Sequence, residues 1–262
     1  QSGGNAAAIQ QAVDELSRRS LVNGFRGVLL LKPGVYNCDK TINITASGIV
    51  IRGSGNGEKG TVLNLTGAPH TGISVRGGAN VRETGFTAVL TDAYVPVNAS
   101  VFHLSDTKGL AVGEVVRISR PVTPAWVHFM GMDSLVRDGK KQTWITGDIT
   151  VDRVIAKIEG KKVTVTLPHT DNYHAAYLGN GGVRVSKIIS GGEIEQVGLE
   201  NFRIVSPTQS GTISEGHHKA FTIRNAVDAW ARNIEALNTM NSISVSDAKR
   251  VTLDRVNIRH ET

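Results

Sequence analysis

The chain of 262 residues has a single cysteine, Cys38. One thiol rules out an intrachain disulfide framework and any CxxC zinc or redox pair. There is no HExxH and no HxH pair, so no histidine-based metal site is expected. No apolar run approaches the ~20 residues needed to span a bilayer, so a membrane is not an expected partner. No signal-peptide pattern opens the chain. Aromatic residues make up only 5 % of it. The basic residues are scattered and lack interleaved aromatics, so nucleic acid is not an expected partner either.

Glycine is abundant at 29, and apolar residues reach 40 %, enough for a folded core. Lys plus Arg number 29 against 23 Asp plus Glu, a net charge of 29 − 23 = +6. Taken alone that balance favours an anionic partner, whether nucleic acid, anionic lipid or acidic polysaccharide; with the first two set aside above, the acidic polysaccharide is left.

Asn5 is expected to cap a helix whose apolar face is Ile9, Ala12, Val13 and Leu16, with Leu21 and Val22 extending it to Asn23-Gly24. After Gly27 the helical period does not return. Val28 to Leu31 reads as a strand buried on both faces. Ile42–Ile44, Ile49–Ile51, Val62–Leu65 and Ile73–Val75 follow, each bounded by turn residues.

Towards the end of the chain the strands repeat. Val197, Leu199, Phe202 and Ile204 match Ala229, Ala231, Ile234 and Ala236 at +32. Val251, Leu253, Val256 and Ile258 follow 22 further on, and Phe221 and Ile223 match Ile243 and Val245 at +22. A period near 22 is one turn of a three-sided coil of parallel strands, which buries its apolar face only by stacking on the next coil. The region 110–182 breaks the period. Strands at Val115–Ile118, Val151–Ile158 and Val163–Leu167, with a Glu159-Gly160-Lys161 turn, suggest an inserted antiparallel module. Trp126, Trp144, Met130, Met132, Tyr173 and Tyr177 cluster in it. They are expected either to pack as a small core or to offer rings for stacking on sugars. On the second reading Trp126 and Tyr173 bind substrate.

The segments Ala7-Ala8-Ile9-Gln10-Gln11-Ala12-Val13, Gly27-Val28-Leu29-Leu30-Leu31-Lys32-Pro33-Gly34-Val35-Tyr36 and Ile49-Val50-Ile51-Arg52-Gly53-Ser54-Gly55 resemble the entry to the pectate lyase superfamily. Gly3-Gly4-Asn5 departs from the acidic pair that such chains often carry there, and no strand precedes the helix. The fold expected is all-β: a right-handed parallel β-helix with an N-terminal capping helix and an inserted small antiparallel β module. Residues 1–109 would hold the cap and first coils, 110–182 the module, and 183–262 further coils. The repeat still runs at Asp254 to His260, so more β-helix, or a second chain, is expected to cover that end.

The resemblance implies action on an acidic, uronic-acid-containing polysaccharide or oligosaccharide by β-elimination, in a secreted or periplasmic setting. Elimination needs a base for the C5 proton, a cation beside the carboxylate, and an acid at the leaving oxygen. Glu215-Gly216-His217-His218-Lys219, directly before a strand, is the best segment for this. His217, His218 and Lys219 are the catalytic candidates, and Arg224 and Arg232 are candidate substrate clamps. The alternative is a polar turn whose histidines bond backbone groups. No metal ligand is assigned and no cofactor is required; calcium is the one ion that the resemblance leaves open. Asp228, Glu235, Asp247 and Asp254 are available for it if stacking brings them together, but they are otherwise solvated turn carboxylates. Two other functions stay open. A glycoside hydrolase would need a carboxylate pair in one groove. A non-catalytic polysaccharide-binding or adhesion solenoid would show an aromatic groove without converging ionisable groups. Gly53-Ser54-Gly55-Asn56-Gly57 lacks the Lys-Ser/Thr ending of a phosphate loop and reads as a turn between coils. Asn225, Asn233, Asn238 and Asn241 are candidates for stacked amide ladders at turns. Asn43-Ile44-Thr45, Asn64-Leu65-Thr66 and Asn98-Ala99-Ser100 are sequons that matter only in a eukaryotic secretory setting.

Overall fold

The computed structural model describes residues 4–142, 145, 147–212 and 215–261; Gly3, Trp144 and Thr262, singled out above, lie outside them. The chain divides into two compact units. One is Gln1–Asn80 with Gly191–Thr262, and the other is Val81–Ser190.

The first unit is a parallel β-helix, right-handed as parallel crossovers are. Backbone pairing sets residues of successive coils side by side. One inward row runs Leu29, Ile51, Leu199, Ala231, Leu253. A second runs Tyr36, Leu63, Ile204, Ala236, Ile258. A third runs Ile42, Ile73, Phe221, Ile243. Every repeat offset read from the sequence reappears as a register pair. The middle of each row is completely buried; Ile51, Leu63, Leu199, Phe202, Ile204 and Phe221 are all at 0 % exposure. In the last described coil the row positions Leu253 and Ile258 are 46 % and 50 % exposed.

Helix Asn5–Ser17 lies against the first coil, burying Ala6, Ile9, Val13 and Leu16. Its polar side chains also serve the coil's free edge. Gln10 accepts the Asn43 N–H and donates to the Asn43 carbonyl, and Asn5 Oδ1 accepts the Asn37 N–H. Asn5 is therefore not the N-cap; Gly4 holds that position without a side-chain bond, because the Asn5 carboxamide is engaged by the strand. The helix stops at Ser17, and Leu21-Val22 is not helical: Val22 bridges to Phe25 across Asn23-Gly24, both at positive φ. Strand Gly27–Leu30 buries only alternate residues, with Val28 and Leu30 exposed, because no layer covers its outer face.

The corners also stack. Asn201, Asn233 and Arg255 have positive φ at equivalent places, as do Gln196, Asp228 and Arg250. Asparagine tolerates this conformation well. Asn233 Nδ2 donates to Asn201 Oδ1 (3.0 Å), and Asn56 Nδ2 to Asn233 Oδ1 (3.1 Å), a short amide ladder. The glycine turn at 53–57 lies within a coil, between strands Ile49–Arg52 and Thr61–Leu65, rather than between coils.

The second unit leaves and rejoins the first at Asn80 and Gly191, whose backbone groups bond each other in both directions (2.9 and 3.1 Å). It is the antiparallel module, with wider bounds than 110–182. Its sheet order is Arg82–Val89, Arg184–Ile189, Val115–Arg120, Ile149–Glu159, Lys162–Val165, Val101–His103. The expected bounds, 1–109 and 183–262 for coils, place strands 82–89, 101–103 and 184–189 in the β-helix instead. Their apolar patterns fit either sheet type, and only the pairing partner separates the two. An antiparallel bridge between Leu90 and Leu104, just beyond the ends of the first and last strands, brings the two together, so the six-stranded sheet curls into a barrel. Phe102, Leu104, Val116, Ile118, Val163 and Val185 fill it.

Gly77 precedes the exit from the β-helix, where a Cβ would lie 2.2 Å from the Asn225 carbonyl oxygen and 2.7 Å from the Ile194 nitrogen. Gly77→Ala should therefore destabilise by about 2–3 kcal/mol in urea unfolding. Gly57→Ala, with open space around it, should change stability by no more than about 0.5 kcal/mol. Equal effects of the two would contradict this packing.

Candidate functional site

The segment holding His217, His218 and Lys219 is where one coil is longer than the next. The register offset is 32 at Val205–Leu237 but 22 at Phe221–Ile243, so ten extra residues lie between them. Gln209 docks this loop: it accepts the His218 N–H (2.6 Å) and donates to the Asn238 carbonyl (2.8 Å). Both histidines are buried. His217 Nε2 donates to the Thr212 carbonyl (2.6 Å), and His218 Nδ1 accepts the His70 N–H (3.3 Å). The His218 ring meets that of His70 edge-on at 4.9 Å. Burial and the neighbouring His70 hold His218 below the usual imidazole range. These two rings bond backbone groups. Lys219 opens strand Lys219–Arg224, and its N–H donates to the His70 carbonyl (3.0 Å).

Arg224 and Arg232, the expected clamps, are paired across coils with Asp247 (3.2 Å) and Asp254 (3.2 Å). The candidate calcium carboxylates are engaged in the same way. Asp228 takes Arg250 through two bonds, and Glu235 takes Arg259 (3.0 Å). Glu200 sits between Arg52 (2.6 Å) and the Trp230 indole (2.7 Å). Burial pushes its carboxyl up, but those two donors outweigh it, and the net shift is downward. Stacking thus brings each of these carboxylates to an arginine rather than to one another.

The second unit holds a different site. Three of its connections, those that follow Val89, Arg120 and Val165, leave from the same end of the barrel, as antiparallel succession requires. They contain Tyr94, Trp126 with Phe129, and Asp171 with His174 and Tyr177, which line one cleft of about 330 Å³. Thr123 caps helix Pro124–Phe129 by accepting the Trp126 N–H (3.1 Å). Phe129 stacks on Tyr177 with centroids 4.3 Å apart, and His174 lies 5.5 Å from Tyr94 and 5.1 Å from Tyr177. Phe129 and Tyr94 are 61 % and 52 % exposed. Arg120 is buried beneath them, its guanidinium 4.3 Å from the Trp126 ring centroid and 2.5 Å from Asp171.

Trp126 therefore lines the cleft, but Tyr173 does not. Only 2 % exposed, it points into the barrel core with its hydroxyl 3.4 Å from His169 Nδ1. Strand alternation explains the exchange: Tyr173 faces in, so His174 faces out. Burial and then Asp171 push the Tyr173 phenol up to about 12. Sequence reasoning missed Arg120, Phe129 and His174. The Tyr173-His174 alternation was the one signal that pointed to His174.

No protein-family model matches the chain, and no curated protein matches it. Among solved structures it is similar to the tailspike gp61 of Pseudomonas phage phi297 (TM-score 0.48, 11 % identity, 98 % of this chain and 42 % of that one). It is similar also to the tailspike gp49 of Pseudomonas phage LKA1 (TM-score 0.41, 13 % identity, 96 % and 49 %). A third is the Gp54 tailspike of Acinetobacter baumannii bacteriophage AP22, in complex with A. baumannii capsular saccharide (TM-score 0.39, 13 % identity, 98 % and 43 %). The chain spans less than half the length of each.

Burial, and then Arg153, depress His169 from 6.5 to about 4. The folded state thus holds this ring neutral while the unfolded chain protonates it, so stability is full above pH 6.5 and falls as the pH drops from 6.5 to about 4. The loss attributable to His169 is at most about 3 kcal/mol. Urea midpoints across that window, compared with His169→Phe, should show the wild type losing more than the variant. Parallel curves would remove His169 as the cause.

Proposed function

We propose that the chain binds an acidic polysaccharide, with the barrel cleft as a sugar-binding site. The observation that carries this reading is the exposed rings of Tyr94 and Phe129, with the half-buried Tyr177 stacked on Phe129, around one cleft. Aromatic faces bury the apolar faces of sugar rings while polar neighbours meet the hydroxyls. Asp171, Asn172 and His174 supply those neighbours. Asp171 is the one carboxylate among the residues lining the cleft, and Arg120 already holds it. A two-carboxylate hydrolysis therefore has no support at this place.

A second reading, cleavage by β-elimination, is favoured by the presence of a cation and proton-carrying groups in the same cleft: Arg120 with His174, Tyr94 and Tyr177. The hydrogen bonding of His174 argues for binding first. Its Nδ1 accepts the Ala176 N–H (3.2 Å), so in the neutral ring the hydrogen sits on Nε2. That nitrogen donates, and it cannot act as a base without changing tautomer. A glycan substrate fits a secreted or periplasmic location.

Isothermal titration against a panel of acidic polysaccharides, bacterial capsular saccharides included, tests the reading. Phe129→Ala should weaken binding about fivefold to tenfold while lowering stability by about 1 kcal/mol or less. Unchanged affinity would remove the cleft from the proposal. The ultraviolet absorbance of unsaturated uronates, followed in the same mixtures, separates the two readings. Rising absorbance establishes elimination, and binding without it leaves a recognition module.

A further inference from the structure

The outer face of the third β-helix sheet carries a row that the sequence does not announce. Asn43, Ser74, Thr222 and Ser244 are adjacent in register on four successive coils. Ser74 and Thr222 are half-buried and Ser244 is exposed, each on the outward side of its strand. Two residues further along, Arg76 and Arg224 are also register partners, both outward and exposed. Neighbouring strands lie about 4.8 Å apart, so two guanidinium groups extend from adjacent backbone positions. Like charges directly opposite each other in a sheet are unfavourable. One carboxylate, Asp247, answers them, and it binds Arg224. Among the described residues Arg76 makes no ion pair, so the pair has one positive charge in excess.

A second outward arginine row is arranged differently. Arg52, Glu200, Arg232 and Asp254 are in register and alternate in sign. Alternation is the arrangement that coil stacking makes favourable without a ligand. The Arg76–Arg224 row departs from it and adjoins a row of hydroxyls.

We propose that this face is an anion-recognising subsite for a polyhydroxylated chain. Arg76 and Arg224 take a carboxylate or sulfate group of the glycan, in the bidentate manner suited to guanidinium. Ser74, Thr222 and Ser244 bond its neighbouring hydroxyls. The assignment to a glycan rests on the reading proposed above, whereas the cation pair is tested apart from it.

Arg76→Gln is the informative variant, because among the described residues Arg76 makes no ion pair that the substitution would break. In the first arm, thermal midpoints are compared in sodium sulfate and sodium chloride at matched ionic strength. Sulfate should raise the midpoint of the wild type more than that of Arg76→Gln. Equal shifts overturn the subsite, whatever the glycan does. In the second arm, a galacturonate oligomer, its methyl ester and a sulfated oligosaccharide are titrated. Arg76→Gln should bind the anionic oligomer that the wild type prefers about tenfold more weakly, with affinity for the ester unchanged. The preferred oligomer tells carboxylate from sulfate. An equal loss for ester and acid overturns charge recognition. A sulfate effect without binding of any oligosaccharide keeps the anion site and overturns its assignment to a glycan.

Discussion

Parallel pairing between coils is the constraint on which the rest of the structure depends. Once one strand is hydrogen-bonded to the next in register, every side chain stands beside its counterpart one coil away. Inward positions become continuous apolar rows, such as Leu29, Ile51, Leu199, Ala231 and Leu253. No coil buries those residues alone, so stability accrues from stacking. The corners obey the same rule, and positive φ recurs at equivalent places held by Asn, Asp, Gln or Arg.

The constraint also governs charge. An outward residue meets the residue directly above it, so opposite signs in one row neutralise each other across coils. That is the condition of Arg232 with Asp254, whereas Arg224 has Ser246 beside it and reaches Asp247 one residue further along. Carboxylates that look free along the chain are therefore engaged in space, and no cation-binding cluster forms from Asp228, Glu235, Asp247 and Asp254. Where the row fails to alternate, at Arg76 and Arg224, positive charge is left over. The barrel solves a different problem. The bridge between Leu90 and Leu104 draws its first and last strands together, and its three long connections are free to gather aromatic rings at one mouth.

Much of the β-helix was legible in the sequence. The offsets of 32 and 22 corresponded residue by residue to the registers of Phe202 with Ile234 and of Ile234 with Val256. The capping helix was legible through Ile9, Val13 and Leu16, but its N-cap was not, because Asn5 turns to a strand distant in sequence. The module was recognised by its aromatics and its hairpin and given bounds that were too narrow. Strand 82–89 has nothing local to say that its partner is 184–189. The candidate site was the least legible part. His217 and His218 are notable as a sequence and buried as a structure. His174 is the residue that reaches the cleft, while its neighbour Tyr173, expected to bind substrate, turns into the core.

The sequence by itself determined the coil: its period, the residues that face inward, and the place where ten extra residues lengthen one turn. It could do so because parallel stacking repeats one spacing, and a repeated spacing is visible in a linear string. Only the tertiary structure decided which strands close the barrel, which ring of the Tyr173-His174 pair is exposed, and which arginine has a carboxylate above it. Those outcomes depend on neighbours far apart in the chain, and no local pattern records which neighbours they will be.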